Sequence, residues 1–233
     1  MSGASPSWVD DELVTYQSSL KRFLDKEVVP NIDAWRSQGM VDRQIWSTAA
    51  DFGALGASVP EKFGGAGLSK AYDAMMLIEQ ARAGDSSWGF GVHNFVTHYL
   101  IDYGTDEQKE RYLSRLVSAE LIAAIAMTEP DTGSDLKSVR TMATPIDSGY
   151  LLSGNKTFIT NGQLANLICV VAKTDANAGA KGISLLLVET DEVDGFTRGR
   201  RLEKLGLKGQ DTSELHFDAV QLPESALLGG VEG

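Results

Sequence analysis

Apolar positions recur at helical spacing through the first half of the chain and at strand spacing through the second. From 8 to 29, Leu13, Tyr16, Leu20, Phe23 and Leu24 form a stripe one helix face wide, and Pro30 is expected to end it. A second helix is predicted over 42–52, stopped by Gly53. The stretch 59–67 holds too much Pro and Gly for regular structure and reads as a loop. Ser69 is placed to cap a helix running to about Arg82, with Met75, Leu77 and Ile78 among its apolar residues. The segment 88–103 is apolar nearly all round, which predicts a buried helix. Thr105-Asp106-Glu107-Gln108 has the form of a capping box opening a helix to about Ser118.

Near residue 120 the period shortens. Strands are predicted at 121–127, 139–144, 150–153, 167–173, 183–189, 196–200 and 214–220. Turn residues separate them at Asp147-Ser148-Gly149, Gly154-Asn155, Asn177-Ala178-Gly179, Asp194-Gly195 and Gly209-Gln210-Asp211. The expected fold class is α+β: an all-α helical domain over 1–120, then an antiparallel β-barrel or sandwich over 121–233. The last residues, 222–233, run out in glycines with no closing helix or strand, so a connection to a further segment is expected.

Composition narrows the chemistry. The 233 residues are 42% apolar, enough for a sizeable core. The net charge of −11 argues against nonspecific nucleic-acid binding through phosphates. An acidic chain that binds an anionic cofactor must hold it locally, with N–H groups and a few cations. The single cysteine, Cys169, excludes an intrachain disulfide and a cysteine-rich zinc site, and its apolar run 167–172 makes it a buried structural thiol. No apolar run is long enough to span a bilayer. Asp10, Asp11 and Glu12, without a basic amphipathic pattern, do not read as a targeting segment, so the expected location is cytoplasmic.

The most informative residues are 126–135, Ala-Met-Thr-Glu-Pro-Asp-Thr-Gly-Ser-Asp. An apolar strand ends in a threonine, and a turn follows that gathers hydroxyls and free N–H groups. Gly133 leaves room for a phosphate to approach the backbone, and successive N–H groups form an anion nest. A second cluster, Phe158-Ile159-Thr160-Asn161-Gly162, pairs an aromatic face with a hydroxyl and a turn.

Other candidates read as structural. Glu61, Glu129 and Asp131 are solvated or turn-stabilising acids rather than bases. His93 and His98 stand five apart on one helix, a poor spacing for a metal pair, and read as helix-wall or satisfied core histidines. Met75-Met76 reads as core packing, and Arg198, Arg200 and Arg201 as a solvated strand edge, the alternatives being contact with ligand phosphates or with a neighbouring subunit.

Taken together, the 126–135 string and the 158–162 cluster resemble the flavin site of the acyl-CoA dehydrogenase family. The similarity continues in Pro60-Glu61 with Phe63-Gly64-Gly65, in Tyr103-Gly104-Thr105 with Gln108-Lys109 and Tyr112-Leu113, in Gly154-Asn155-Lys156, and in Lys204-Leu205-Gly206 through Asp211-Thr212, Glu214-Leu215 and Phe217. It covers nearly the whole chain.

The resemblance implies a helical domain and a β-barrel that enclose FAD and an acyl-CoA thioester, which is oxidised to trans-2-enoyl-CoA in fatty-acid β-oxidation or branched-chain catabolism. Met127 and Thr128 would lie against the flavin ring. Gly133 and Ser134 would contact the pyrophosphate, with Ser134 also near the CoA arm. Phe158, where most members carry Trp, would pack on the flavin beside Ile159, and Thr160 would hydrogen-bond near N5. The general base of the family is a glutamate expected beyond Gly233, so no catalytic residue is assigned within this chain. The resemblance further implies electron-transfer flavoprotein as acceptor and a homo-oligomer, tetrameric at full length. The segment 206–217 is most similar to long-chain members. Alternatives are an acyl-CoA oxidase, told apart by oxygen as acceptor, and a fragment that binds a partner without turnover.

Overall fold

The structure is a computed structural model that describes residues 6–84 and 87–233. Six α-helices come first. Helix α1 (Asp11–Phe23) is opened by Asp10, whose carboxylate accepts the Leu13 N–H at 2.8 Å, and it buries Leu13, Leu20 and Phe23. Acidic Asp11 and Glu12 in its first turn and basic Lys21 and Arg22 in its last complement the helix dipole. Pro30 does not simply stop the chain's winding. The α-geometry gives way earlier to a π-turn (Leu24–Val28), then a 3₁₀ turn (Val29–Asn31), and resumes as α2 (Ile32–Gln38). Pro30 sits in the first turn of the 3₁₀ segment, where its missing N–H leaves no bond unmade.

Helices α3 (Gln44–Phe52), α4 (Lys70–Arg82), α5 (Phe90–Tyr103) and α6 (Asp106–Val117) follow. Ser69 occupies the N-cap position of α4 with extended backbone but makes no side-chain capping bond. The capping box of α6 forms as expected: Gln108 N donates to Thr105 Oγ1 at 3.2 Å, and Thr105 N to Gln108 Oε1 at 3.1 Å. Helix α5 buries Phe90, His93, Val96, Thr97 and Leu100, yet Phe95 and Tyr103 are exposed, so it is a wall and not a fully enclosed helix.

Seven strands make one sheet: β1 (Ala123–Ala126), β2 (Met142–Ile146), β3 (Gly149–Ile159), β4 (Leu167–Lys173), β5 (Ile183–Glu189), β6 (Phe196–Arg201) and β7 (Ser213–Leu222). Their order is β1-β4-β2-β3-β7-β6, with β5 also on β4. The sheet is mixed, which corrects the expectation of an antiparallel barrel. β1 pairs parallel with β4, from Ala123 with Leu167 to Ala126 with Val170, and β2 meets β4 in parallel at Met142 and Lys173. The remaining pairs are antiparallel. The reason lies in the connection 127–141, which is too long for a hairpin and carries the chain over β4 before β2 begins. Among the described residues β6 pairs only with β7, so the sheet curls without closing.

A second correction concerns Gly154-Asn155. They form no turn, because β3 runs through them with a register shift between Leu152 and Gly154. A Cβ at Gly154 would collide with the Thr141 hydroxyl, so glycine there lets the two strands approach.

Strand β4 divides the interior. Ile168, Val170 and Ala172 face one core that reaches from the α1–α4 helices to Leu215 and Val220. Leu167 and Cys169 face a second core with Val96 and Leu100 of α5 and Leu113 and Leu116 of α6. The alternation is the two-residue period of a strand covered on both faces. Cys169 is a buried free thiol, and burial pushes its pKa up to about 12.

Candidate functional site

The site grows from the C-terminal ends of β1 and β3. After β1, Glu129 and Thr132 exchange backbone bonds (Glu129 N to Thr132 O, 2.9 Å; Thr132 N to Glu129 O, 3.1 Å) around Pro130-Asp131. At the end of β3, Thr157 N donates to the Thr128 carbonyl at 2.9 Å. That one bond sets Thr128 beside Phe158, although 29 residues separate Thr128 from Thr157 along the chain.

Two buried charges hold the arrangement from below. The Lys156 ammonium donates to Glu129 Oε1 (2.8 Å), to the Met127 carbonyl (3.0 Å) and to the Val171 carbonyl (2.7 Å). The Glu129 carboxylate also accepts Arg140 N (2.6 Å), Thr141 N (3.0 Å) and Thr141 Oγ1 (2.6 Å). Burial would raise the Glu129 carboxyl, but the bonds from Lys156, Thr141 and Arg140 outweigh it and hold the group below its ordinary range. Burial lowers the Lys156 pKa, and Glu129 only partly offsets this. Glu129 is therefore turn-stabilising, as read from the sequence, but buried rather than solvated. Asp131 pairs with Arg140 at 3.0 Å on the surface.

The far side of the site is strained. Phe158 has φ 59° and Asn161 φ 63°, both in the left-handed region that side chains rarely adopt. Asn161 is locked there, donating from Nδ2 to the carbonyls of Gly89 and Ala123, each at 3.0 Å. The Asp211 carboxylate anchors the following turn by accepting Gln163 N (2.9 Å) and Leu164 N (3.0 Å). Between the strained residues Ile159 is buried and Thr160 half-buried, and Phe158 is 65% exposed.

Of the seven residues expected to meet a cofactor, Met127, Thr128, Phe158, Ile159 and Thr160 come together, with Ile159 turned inward. Gly133 and Ser134 lie further along the 127–141 connection, both exposed. A Cβ on Gly133 would meet nothing in the protein, so the space in front of it is open to a ligand. The hydroxyls of Thr128, Ser134 and Thr160 have no hydrogen-bond partner among the described residues. Unused hydroxyls, an exposed ring held in strained backbone and an open glycine-containing turn form a donor set that fits a flavin nucleotide.

Reasoning from sequence assigned no role to Lys156 or to Asn161. A lysine at an inward position of an alternating strand, beside a buried threonine, was the available signal for the first. His93 and His98 do not converge. His93 is buried, its Nδ1 accepting Ala123 N at 3.2 Å, while His98 Nε2 lies 3.0 Å from Asp73 Oδ2 and 3.2 Å from Ser58 Oγ. No cluster of three metal-ligating side chains occurs among the described residues, and no described helix is long and apolar enough to cross a membrane.

Comparison with known proteins gives concordant results. Residues 10–120 match the model of the acyl-CoA dehydrogenase N-terminal domain, and residues 124–220 that of the acyl-CoA dehydrogenase middle domain. The chain is 44% identical over 217 residues to the mitochondrial long-chain specific acyl-CoA dehydrogenase of Mus musculus, covering 92% of this chain and 50% of that protein. It is 37% identical over 226 residues to mitochondrial isovaleryl-CoA dehydrogenase of Solanum tuberosum, covering 95% and 55%. An acyl-CoA dehydrogenase structure from Geobacillus kaustophilus superposes with a TM-score of 0.93 at 43% identity, covering 97% of this chain and 60% of the other. A glutaryl-CoA dehydrogenase from Mycobacterium smegmatis in complex with FADH2 superposes with a TM-score of 0.88 at 32% identity, covering 97% and 57%. The chain spans about half the length of the curated relatives it matches.

Proposed function

The chain belongs to the acyl-CoA dehydrogenase family, and we propose that it supplies the flavin-facing surface of an enzyme that oxidises an acyl-CoA thioester to the trans-2-enoyl-CoA. The observation that carries this reading is the bond from Thr157 N to the Thr128 carbonyl, which brings the segment that holds Thr128 against the one that holds Phe158. FAD, when bound, accepts the hydride removed from the β-carbon.

The work of this chain's own residues is orientation. Thr128 and Thr160 present unused hydroxyls to the polar edge of the ring system, where negative charge accumulates on reduction. Phe158 covers the ring face and excludes water. Gly133 and Ser134 present backbone N–H groups and a hydroxyl to the pyrophosphate. Lys156 holds the Met127 carbonyl and so fixes where Thr128 begins.

The α-proton must go to a base, and we assign that role to no residue between 1 and 233. Glu129 is ionised but engaged by four donor groups, and Asp131 is paired with Arg140. A substrate with a long acyl chain is favoured by the 44% identity to the long-chain relative. Electron-transfer flavoprotein as acceptor and a homotetramer at full length rest on family membership alone.

The test is the visible spectrum of the purified chain after incubation with FAD, followed by anaerobic addition of an acyl-CoA series. A flavin band that shifts with acyl-CoA but does not bleach is expected. Bleaching would overturn the exclusion of a base. Failure of the chain to retain FAD would sink the flavin assignment itself.

A further inference from the structure

The three arginines that read as one basic cluster part company in the fold. Arg198 donates to the Ala165 carbonyl (2.7 Å) and to Thr190 Oγ1 (3.1 Å), and lies over the Phe196 ring. Arg200 pairs with Glu214 at 3.1 Å. Arg201 instead enters a cleft of about 600 Å³ between α2 and the connection from β6 to β7. Arg36, Gly39 and Met40 line one side, and Arg201, Lys204 and Lys208 the other. The volume falls within the range of small-molecule sites, about 300–1,000 Å³.

Four cations thus converge in a chain whose net charge is −11. Glu203 is the one carboxylate among the lining residues. The Arg201 and Lys208 side chains make no hydrogen bond or ion pair among the described residues, while Arg36 keeps Asp33 at 3.6 Å. The Lys204 ammonium donates to the Gln210 carbonyl. Burial pushes the Lys204 pKa down, Asp211 pulls it up, and Arg201 pushes it down further. Asp211 does not line the cleft, and its carboxylate accepts the N–H groups of Gln163 and Leu164.

The Arg201 guanidinium lies against Gly39. A Cβ on Gly39 would stand 2.8 Å from its Cζ, and Gly39 itself turns left-handed, φ 79°, to end α2. The left-handed turn favours glycine there, and its missing Cβ leaves room for the guanidinium. A guanidinium fork matches phosphate oxygens, and several like charges brought together are relieved by a polyanion more than by a single carboxylate. Met40 and Leu202 add an apolar wall.

We propose that this cleft binds a diphosphate group, as carried by a nucleoside diphosphate, at a site distinct from the flavin-facing surface. None of Met127, Thr128, Gly133, Ser134, Phe158, Ile159 or Thr160 lines it.

Calorimetric titration of the 233-residue chain with ADP and with inorganic diphosphate tests this, with no dependence on flavin. Saturable binding that weakens as salt rises is expected. The affinity should fall at least about tenfold in the double variant Arg201→Gln, Lys208→Gln, whose thermal melt should match the native chain. Tighter binding of ADP than of diphosphate would place the nucleoside against Met40 and Leu202. Equal binding would mean that the phosphates alone are recognised. If neither probe binds, or if the double variant binds as the native chain does, the proposal fails.

Discussion

The Lys156 ammonium and the Glu129 carboxylate meet at 2.8 Å with side-chain exposures of 0% and 5%, joining β3 to the turn that follows β1. Two charges at that depth survive because every polar atom finds a partner: Lys156 reaches two carbonyls as well, and Glu129 three further donor atoms. The pair sits directly under Met127 and Thr128, so stability and the candidate flavin surface share a foundation.

Removing one member should hurt more than removing both. Lys156→Met leaves Glu129 buried and unpaired, and a loss of about 3–5 kcal/mol is expected in urea unfolding. Adding Glu129→Gln should restore part of that loss, because it removes the unpaired charge and its one amide oxygen still accepts Thr141 N and Thr141 Oγ1, leaving only Arg140 N without its acceptor. A double variant as unstable as the single one would show that the pair does not act as a unit.

Acid should destabilise the chain through His93. Burial lowers its pKa from 6.5 to about 4, against a small upward pull from the Leu116 backbone. A folded-state pKa below the unfolded one means that stability is fully present above pH 6.5 and is lost as pH falls toward 4. The loss reaches about 3 kcal/mol at most. His93→Gln should flatten unfolding free energy across that window, and an unchanged slope would locate the acid sensitivity elsewhere.

Phe158 should separate stability from binding. Its backbone at φ 59° is left-handed and the residue is 65% exposed, so Phe158→Gly removes strain while losing little burial. Thermal stability should hold or rise, by about 1 kcal/mol at most once the extra freedom of the unfolded glycine is counted. Retention of added FAD should fall. Weaker folding with unchanged retention would contradict both halves.

Gln108 should pin the segment after β7. Its Nε2 donates to the carbonyls of Ser225 and Leu227, each at 2.8 Å, and its Oε1 accepts Gly229 N at 3.1 Å as well as Thr105 N. Gln108→Leu orphans these groups and should cost about 2–4 kcal/mol. Limited proteolysis should then cut near 224–230 faster than in the native chain, while Thr105→Ala, which removes only the cap, should cost about 1 kcal/mol.

Much was legible before any coordinates. Helical spacing, the capping box of Thr105 and Gln108, the buried Cys169 and the turn chemistry of 126–135 depend on residues a few positions apart, and local rules read them directly. The parallel pairing of β1 with β4 is of another kind. Nothing within 123–126 names its partner, and the antiparallel expectation followed from turn residues that set only nearest-neighbour geometry. The same holds for Lys156, whose burial depends on carbonyls at 127 and 171, and for Arg201, whose cleft is completed by Arg36, Gly39 and Met40, far from it in sequence. By itself the sequence determined most of the helices and strands, though not α2 or the passage of β3 through Gly154-Asn155, and it carried the family-like motif of 126–135, because those are short-range properties. Only the tertiary structure decided which strand ends meet, which charges are buried together and which arginine faces a cleft, because those are settled by packing between segments whose separation along the chain carries no distance information.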